Sequence, residues 1–263
     1  NAIGNATYID GIYLTGATLD AGGGNIALNG TGFAGVASSN GIYVTDNTAG
    51  TIDSAIRTTG TGTITLNGTG GAGTGSNNGI RIGGGTSISS VDGLISLIGQ
   101  GGAGTGTQNM GVYVHNGATL SATGTGGITL TGTAGSSGTL GGSNRGVRVA
   151  SGAMLTTNTG NIGITGTGAW DGDGAQVVGA STIQSATGNI SITGTSGNGT
   201  GNDYGVYITA SDVGTGNTLI TTGGNISISG TSTATAGPSN RGTSIGTRAR
   251  VIATGAGNIG ITG

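Results

Sequence analysis

The chain has 263 residues, of which 65 are glycine, and its charges come from seven arginines and nine aspartates, with a formal net charge of −2. The scattered arginines argue against partners such as nucleic acid or an anionic membrane surface, which require clustered cations. The absence of cysteine and the single histidine argue against disulfides and zinc sites, so we expect no metal and no cofactor. Short runs of Val, Ile, Leu and Thr bounded by Gly and Asn favour an all-β fold.

The first predicted element of each repeat is a strand that opens with glycine and carries two apolar residues around an outward one. The first copy runs from Gly11 to Leu14, and the copies at Gly174 and Gly242 are degenerate. Period-two alternation places the two apolar residues on one face of the strand. The opening glycines are Gly11, Gly41, Gly79, Gly111, Gly146, Gly174, Gly205 and Gly242.

The second predicted element is a short strand with one apolar marker. In the second repeat Ile52 is an alternative to the marker Ile56. The markers are Leu19, Ile56, Ile88, Leu120, Leu155, Ile183, Leu219 and Val251.

The third predicted element is a longer strand with the motif Gly-Asn-Ile-x-Ile-x-Gly-Thr, which recurs at intervals of 28 to 38 residues. Its first apolar position is Ile26, Ile64, Ile95, Ile128, Ile162, Ile190, Ile226 and Ile259. Its second apolar position is Leu28, Leu66, Leu97, Leu130, Ile164, Ile192, Ile228 and Ile261.

Three strands per repeat predict a three-faced β-solenoid, a right-handed parallel β-helix of about eight coils of about 33 residues. The right-handed sense follows from the general preference of parallel crossovers. Residues 1–263 then form a single solenoid segment. Most of the length variation falls between the third element and the next first element, so insertions are expected mainly at one corner of the coil. Closed barrels and propellers remain alternatives.

The outward residue of the glycine-opened strand forms a column that is the best candidate for contact with a partner. Stacked Tyr and Arg side chains offer aromatic and guanidinium faces to a sugar ring or a neighbouring fibre. The alternative is that they stabilise each other as a cross-strand ladder. The column consists of Tyr13, Tyr43, Arg81, Tyr113, Arg148 and Tyr207, together with Gln176 and Ser244 in the degenerate copies.

Two further columns of polar residues are interpreted as structural. An Asn or Asp one or two residues before the opening glycine is typical of a turn, and it occurs at Asp10, Asn40, Asn78, Asn109, Asn144, Asp173, Asp203 and Asn240. An Asn before the third element predicts a ladder between coils, and it occurs at Asn25, Asn161, Asn189, Asn225 and Asn258.

The sequence offers little for catalysis. Asp171 and Asp173 form the one tight acidic pair, and neither a calcium loop motif nor a repeat that binds calcium surrounds them. His115 has no second histidine to pair with. We therefore predict no catalytic residues, with cleavage of a polysaccharide by paired carboxylates as the enzymatic alternative.

The repeats resemble those of filamentous haemagglutinin-type adhesins and related autotransporter passenger domains. The resemblance rests on motifs such as Gly-Asn-Ile-Gly-Ile-Thr-Gly at 160–166 and Thr-Leu-Ile-Thr-Thr-Gly-Gly at 218–224, and it covers nearly the whole chain. It implies a secreted, elongated bacterial protein that projects from the cell surface and mediates adhesion or fibre assembly.

These observations lead to one functional expectation and one alternative. We expect a non-catalytic structural or adhesive segment of an extracellular fibre, part of a longer repetitive chain. Its expected partners are further copies, end to end or laterally, and surface glycans. The segment holds no apolar run of the roughly 20 residues that span a bilayer, so no membrane insertion is expected. The alternative is a β-helix that binds or cleaves carbohydrate.

Overall fold

The structure is a computed structural model that describes all residues except 1, 6, 8, 48, 137–142 and 211–217, and the side chain of Leu219. The described residues form 25 strands and no helix. Successive strands alternate among three parallel sheets, and this arrangement confirms the three-faced β-solenoid. It has about seven turns of about 33 residues, close to the eight coils predicted. The right-handed sense stays a prediction.

The strands are numbered in chain order. Sheet A contains β1 (Ala2–Ile3), β4 (Ile26–Thr31), β7 (Ile64–Thr69), β10 (Ile95–Gln100), β13 (Ile128–Thr133), β16 (Ile162–Thr167), β19 (Ile190–Thr195), β22 (Ile226–Thr231) and β25 (Ile259–Thr262). Sheet B contains β2 (Ile12–Thr15), β5 (Ile42–Thr45), β8 (Ile80–Ile82), β11 (Val112–Val114), β14 (Val147–Val149), β17 (Ala175–Val178), β20 (Tyr204–Thr209) and β23 (Arg241–Ile245). Sheet C contains β3 (Thr18–Asp20), β6 (Ala55–Arg57), β9 (Ser87–Ser90), β12 (Thr119–Ala122), β15 (Met154–Thr157), β18 (Thr182–Ser185), β21 (Thr218–Thr222) and β24 (Ala249–Ala253).

The core consists of the predicted apolar columns. Ile162 pairs with Ile190, and Ile190 pairs with Ile226, so equivalent residues lie in neighbouring coils. All three side chains are buried in one continuous apolar cluster. Each buried Ile, Leu or Val side chain contributes roughly 1.5–3 kcal/mol. The column therefore both sets the register of the coils and supplies much of their cohesion.

Sheet C requires one correction to the predicted columns. The backbone pairs Leu219 with Thr182 and Arg250, whereas Ile220 pairs with Ile183 and is fully buried. Ile220, one residue later than predicted, is therefore the core residue of β21. In the second repeat Ile56 is buried and Ile52 is 56% exposed, so Ile56 is the core marker.

Glycine at the fifth position of the long strands allows each coil to turn from sheet A into sheet B. A Cβ placed on Gly132 would overlap the carbonyl oxygen of Gly146, which opens the following sheet B strand. The same conflict arises between Gly166 and Gly174. The two backbones meet without side chains between them, which explains why both motifs carry glycine.

The loops at this corner also bond from coil to coil. The Gly71 amide donates to the Ser39 carbonyl at 2.9 Å, and the Gly102 amide donates to the Asn77 carbonyl at 2.8 Å. The Gly135 amide continues the series to the Asn109 carbonyl at 2.8 Å. The corner that was expected to hold insertions thus keeps the register, and it adds a ladder of its own to the three sheets.

Candidate functional site

The predicted outward column lies on sheet B in continuous register. Tyr13 pairs with Tyr43, and Tyr43 pairs with Arg81. The pairs continue through Tyr113, Arg148, Gln176, Tyr207 and Ser244. The apolar residues on either side of this column point into the core. The structure therefore brings all the predicted contact residues into one line along the solenoid axis.

In the first coils the rings stack on one another along the axis. The Tyr13 and Tyr43 ring centroids are 5.3 Å apart with an angle of 30° between planes. The Arg81 guanidinium carbon lies 4.8 Å from the Tyr43 centroid. Such contacts contribute about 0.5–1.5 kcal/mol each. The aromatic faces are thus used between coils, as the ladder interpretation predicts, and Tyr13 remains 51% exposed.

His115 joins the column in the fourth sheet B strand. Its ring stacks on Tyr113 at 4.1 Å, and its Nε2 accepts a hydrogen bond of 3.2 Å from Arg81 Nε. From the following coil, the Arg148 guanidinium lies over the Tyr113 ring, 5.4 Å from its centroid. Burial, followed by the positive charge of Arg81, lowers the pKa of His115 to about 4. The imidazole is therefore neutral at neutral pH, which is the form that can accept the Arg81 bond.

A second aromatic cluster lies beside Tyr207 in the seventh sheet B strand. Tyr204 stacks on Tyr207 with centroids 4.7 Å apart, and the Arg241 guanidinium lies 5.9 Å from the Tyr204 centroid. Sequence reasoning missed Tyr204 and Arg241 because both residues precede the alternating positions that defined the column. Alternation places residues three apart on opposite faces of a strand, so the sequence contains no signal for this contact.

Gln176 interrupts the aromatic column with a buried polar group. Its Nε2 donates to Asp173 Oδ2 at 2.9 Å, and Arg145 Nε lies 3.3 Å from the same oxygen. Burial raises the pKa of Asp173 and lowers the pKa of Arg145, while each charge opposes the shift of the other. This arrangement fixes the corner between coils and leaves the Asp173 carboxylate committed to structural contacts.

The predicted turn residues form two hydrogen-bonded ladders that run in opposite directions along the axis. Asn40 Oδ1 accepts from the Asn78 amide of the following coil at 3.2 Å. One residue earlier, Asn109 Oδ1 accepts from the Asn77 amide of the preceding coil at 3.0 Å. Buried backbone N–H groups at the corner thus receive side-chain acceptors, which confirms a structural role for these residues.

The predicted Asn ladder before the long strands is also present. Asn161 Oδ1 accepts from the Asn189 amide at 2.8 Å, and Asn189 Oδ1 accepts from the Asn225 amide at 2.9 Å. Asn225 Oδ1 in turn accepts from the Asn258 amide at 2.8 Å. Asp92 performs the same role toward Thr125, although its position in the repeat gave no signal.

The acidic pair considered for calcium or catalysis is engaged in backbone contacts. Asp171 Oδ1 accepts from the amides of Thr200 and Gly201 at 2.6 and 2.9 Å. Asp173 Oδ1 accepts from the Tyr204 amide at 3.1 Å. Within the part of the chain that the structure describes, no three acidic or histidine side chains are grouped to hold a metal ion. The geometry therefore offers no support for the calcium reading.

Asp203 is the most unusual ionisable residue near this pair. It is fully buried and its carboxylate is poorly hydrogen-bonded, with the Gly199 backbone acting to lower its pKa. Burial, and after it the charges of Asp171 and Asp173, raise its pKa to about 6. A raised pKa is typical of a general acid, but a buried carboxyl without an opening cannot reach a polymer. We interpret Asp203 as a structural residue.

A shallow hollow of about 480 Å³ opens beside the first two rings of the column. Tyr13, Tyr43, Asp46 and Asn47 contribute to its lining. Its size lies within the roughly 300–1,000 Å³ of small-ligand sites. Its lining combines polar groups with two aromatic side chains.

None of the described segments is a helix long and apolar enough to cross a bilayer. Comparison of the chain with protein-family models, curated proteins and solved structures finds no match. The candidate site therefore has to be interpreted from its own geometry.

Proposed function

We propose that this chain is a non-catalytic structural segment of an extracellular adhesive fibre. The observation that carries the proposal is the use of the recurring Tyr, Arg and Asn positions for contacts between coils. Tyr43 and Arg81 stack across coils, Asn189 bonds the coils on either side of it, and the corner loops bond in series. A chain built this way gains length and stiffness from each repeat, which is what a fibre requires.

The proposed contact is a further coil stacked on β25. Ile259 and Ile261 occupy positions that are buried in the inner coils, yet they are 45% and 48% exposed. The edge of β25 also presents backbone groups that pair with a neighbour in the interior strands. Another coil, from the same polypeptide or a second copy, would cover both. The haemagglutinin-like style of the repeats agrees with secretion to the cell surface.

The test is the assembly state of the purified 263-residue chain measured by light scattering and electron microscopy over a range of concentrations. We expect rods that lengthen with concentration. Ile261→Asp should block growth because it places a charge on the edge that stacks. Ile98→Asp is the matched control, since Ile98 is 45% exposed on the side of sheet A. A wild-type chain that stays monomeric at every concentration would count against end-to-end assembly.

The hollow beside Tyr13 favours glycan binding as the second candidate function. A glycan array separates it from a purely structural role, and a parallel screen with pectin, alginate and hyaluronan measures any cleavage. Binding that disappears in Tyr13→Ala would establish this second function. Turnover of any of the three polymers would overturn the non-catalytic proposal.

A further inference from the structure

Sheet A presents a lattice of small polar side chains on its outer face. Its long strands pair residue for residue over six positions, without a bulge, from β4 to β22. Positions four and six of each strand face outward, on either side of the inward glycine. In four consecutive strands these positions are Thr131 and Thr133, Thr165 and Thr167, Thr193 and Thr195, and Ser229 and Thr231.

The lattice is regular in two directions. Equivalent residues of neighbouring coils lie about 4.8 Å apart, and positions two residues apart on a strand are separated by about 6.6–6.8 Å. Threonine has few χ1 rotamers, so its hydroxyl and methyl groups repeat with the backbone. A surface with this order matches a partner that itself repeats in two dimensions.

Most hydroxyls of this face are available to such a partner, although Ser229 Oγ accepts a hydrogen bond of 3.0 Å from Thr262 Oγ1. Thr131, Thr133, Thr165 and Thr167 are exposed and form no side-chain hydrogen bonds with the described part of the chain. The nine strands of sheet A contain no charged residue, although the chain has sixteen. A charged partner would therefore have no opposite charge to pair with on this sheet. An uncharged network of hydrogen-bonding groups could instead bond to the hydroxyls.

The area of the face argues against a second copy as its occupant. A face of seven intervals and six-residue strands covers roughly 600 Å². Two such faces reach only the lower limit of about 1,200 Å² for a stable interface. Their surface is mostly hydroxyl, so the hydrophobic gain would be small.

We propose that the threonine face, defined as the outward residues of β13, β16, β19 and β22 at positions four and six, binds ice. Ice likewise presents rows of water oxygens that repeat in two directions, with spacings of the same order as those of this lattice. The hydroxyls enter the lattice of water, and the methyl groups order the water between them. On β10 the corresponding positions are Ile98 and Gln100, which confine the face to the C-terminal half of the solenoid.

The test measures thermal hysteresis and the inhibition of ice recrystallisation with the purified 263-residue chain. We expect a measurable freezing-point gap and faceted ice crystals from the wild type. Thr165→Tyr and Thr167→Tyr, at the centre of the face, should each lose most of this activity because a ring lifts the lattice away from the ice. Thr156→Tyr is the control, since Thr156 faces outward from sheet C and should keep the activity.

Circular dichroism melts establish that each variant is folded. A folded wild type without hysteresis or ice shaping would overturn the proposal, as would equal loss in Thr156→Tyr. If the wild type has no effect on ice but dimerises, and Thr165→Tyr removes the dimer, the proposal is also overturned. The face would then be assigned to contact with a second copy. Fibre assembly through Ile261 is measured separately, so failure of either proposal leaves the other intact.

Discussion

Buried ionisable side chains at the corners of the solenoid make its stability depend on pH. Asp203 has its pKa raised to about 6 by burial and by Asp171 and Asp173. His115 has its pKa lowered to about 4 by burial and by Arg81. In the folded protein Asp203 holds its proton more tightly than in the unfolded chain, whereas His115 holds its proton less tightly. The two shifts therefore have opposite effects on how stability depends on pH.

Asp203→Asn should stabilise the protein at neutral pH. The native carboxyl keeps its proton up to about pH 6, whereas the unfolded one loses it near 3.8, so the stability contributed by Asp203 falls as pH rises through this window. The amide removes that fall, and we expect a gain on the order of 1 kcal/mol at pH 7 after allowance for solvent screening. Urea unfolding at pH 3.5 and pH 7 measures it. A gain that is equal at both values would contradict the assignment.

His115→Gln should remove a loss of stability in acid. The unfolded imidazole binds a proton below its ordinary pKa of 6.5, while the native ring resists protonation down to about 4. Wild-type stability attributable to His115 therefore falls as pH drops from 6.5 to 4, by up to about 3 kcal/mol. Glutamine keeps an acceptor for Arg81 and does not titrate. The difference in unfolding free energy between pH 7 and pH 4.5, compared between the two proteins, checks this expectation.

For single residues, the sequence predicted which residues share a column better than it predicted which side chains contact each other. The repeat predicted the positions of Tyr113 and Arg148 because the outward position of the glycine-opened strand recurs in every copy. It misplaced the core residue of β21, since Leu219 and Ile220 are adjacent and both apolar, and alternation alone does not choose between them. His115 follows Tyr113 by two residues, so alternation places both on one face, but its bond with Arg81 joins two coils and has no pattern in the sequence.

Each long strand combines one inward glycine, which the corner requires, with outward positions that tolerate side chains. Strand β16 shows both cases. A Cβ on Gly166 would overlap the carbonyl oxygen of Gly174, whereas a Cβ on Gly163 would meet only the Thr129 Cγ2 atom at 3.8 Å. Two glycines three residues apart thus have unlike structural roles.

Gly166→Ala should destabilise the protein and Gly163→Ala should not. Overlap with backbone forces the corner apart, at a cost of about 1–3 kcal/mol or more. The outward alanine instead reduces the freedom of the unfolded chain and should be neutral or stabilising by about 0.4–1 kcal/mol. Thermal unfolding of the two variants beside the wild type provides the comparison. Equal destabilisation by both would show that the corner contact is not the cause.

The strands could be predicted because their side chains alternate and recur, but the ladder of the corner loops could not. Its bonds join backbone groups, such as the Gly102 amide and the Asn77 carbonyl, and leave no side-chain pattern to detect. Glycine is common in flexible loops, yet a Cβ at Gly102 would overlap the carbonyl oxygen of Gly71. Closely packed backbones and flexible loops both favour glycine, so the glycine content alone does not distinguish the two.

Taken as a whole, the molecule has contacts between neighbouring coils and few others, so whole coils should be removable. Deletion of residues 162–189 joins Asn161 to Ile190 and restores the Asn-Ile sequence that stands at the start of five of the eight long strands. We expect a folded, shorter solenoid with lower stability, since one interface between coils is lost. Deletion of residues 162–175 is the control and should abolish folding, because it shifts sheet B residues into sheet A. Circular dichroism and thermal melts measure both, and a folded half-coil deletion would contradict the register argument.

The bonds between coils also determine how such a rod would respond to tension. Because each coil is bonded only to its neighbours, force applied between the two ends should open the coils one after another. Each opening would release about 33 residues, on the order of 100 Å of extended polypeptide, from a layer that had contributed about 4.8 Å of length. A tether of this design would yield in steps and lengthen many times over before it broke.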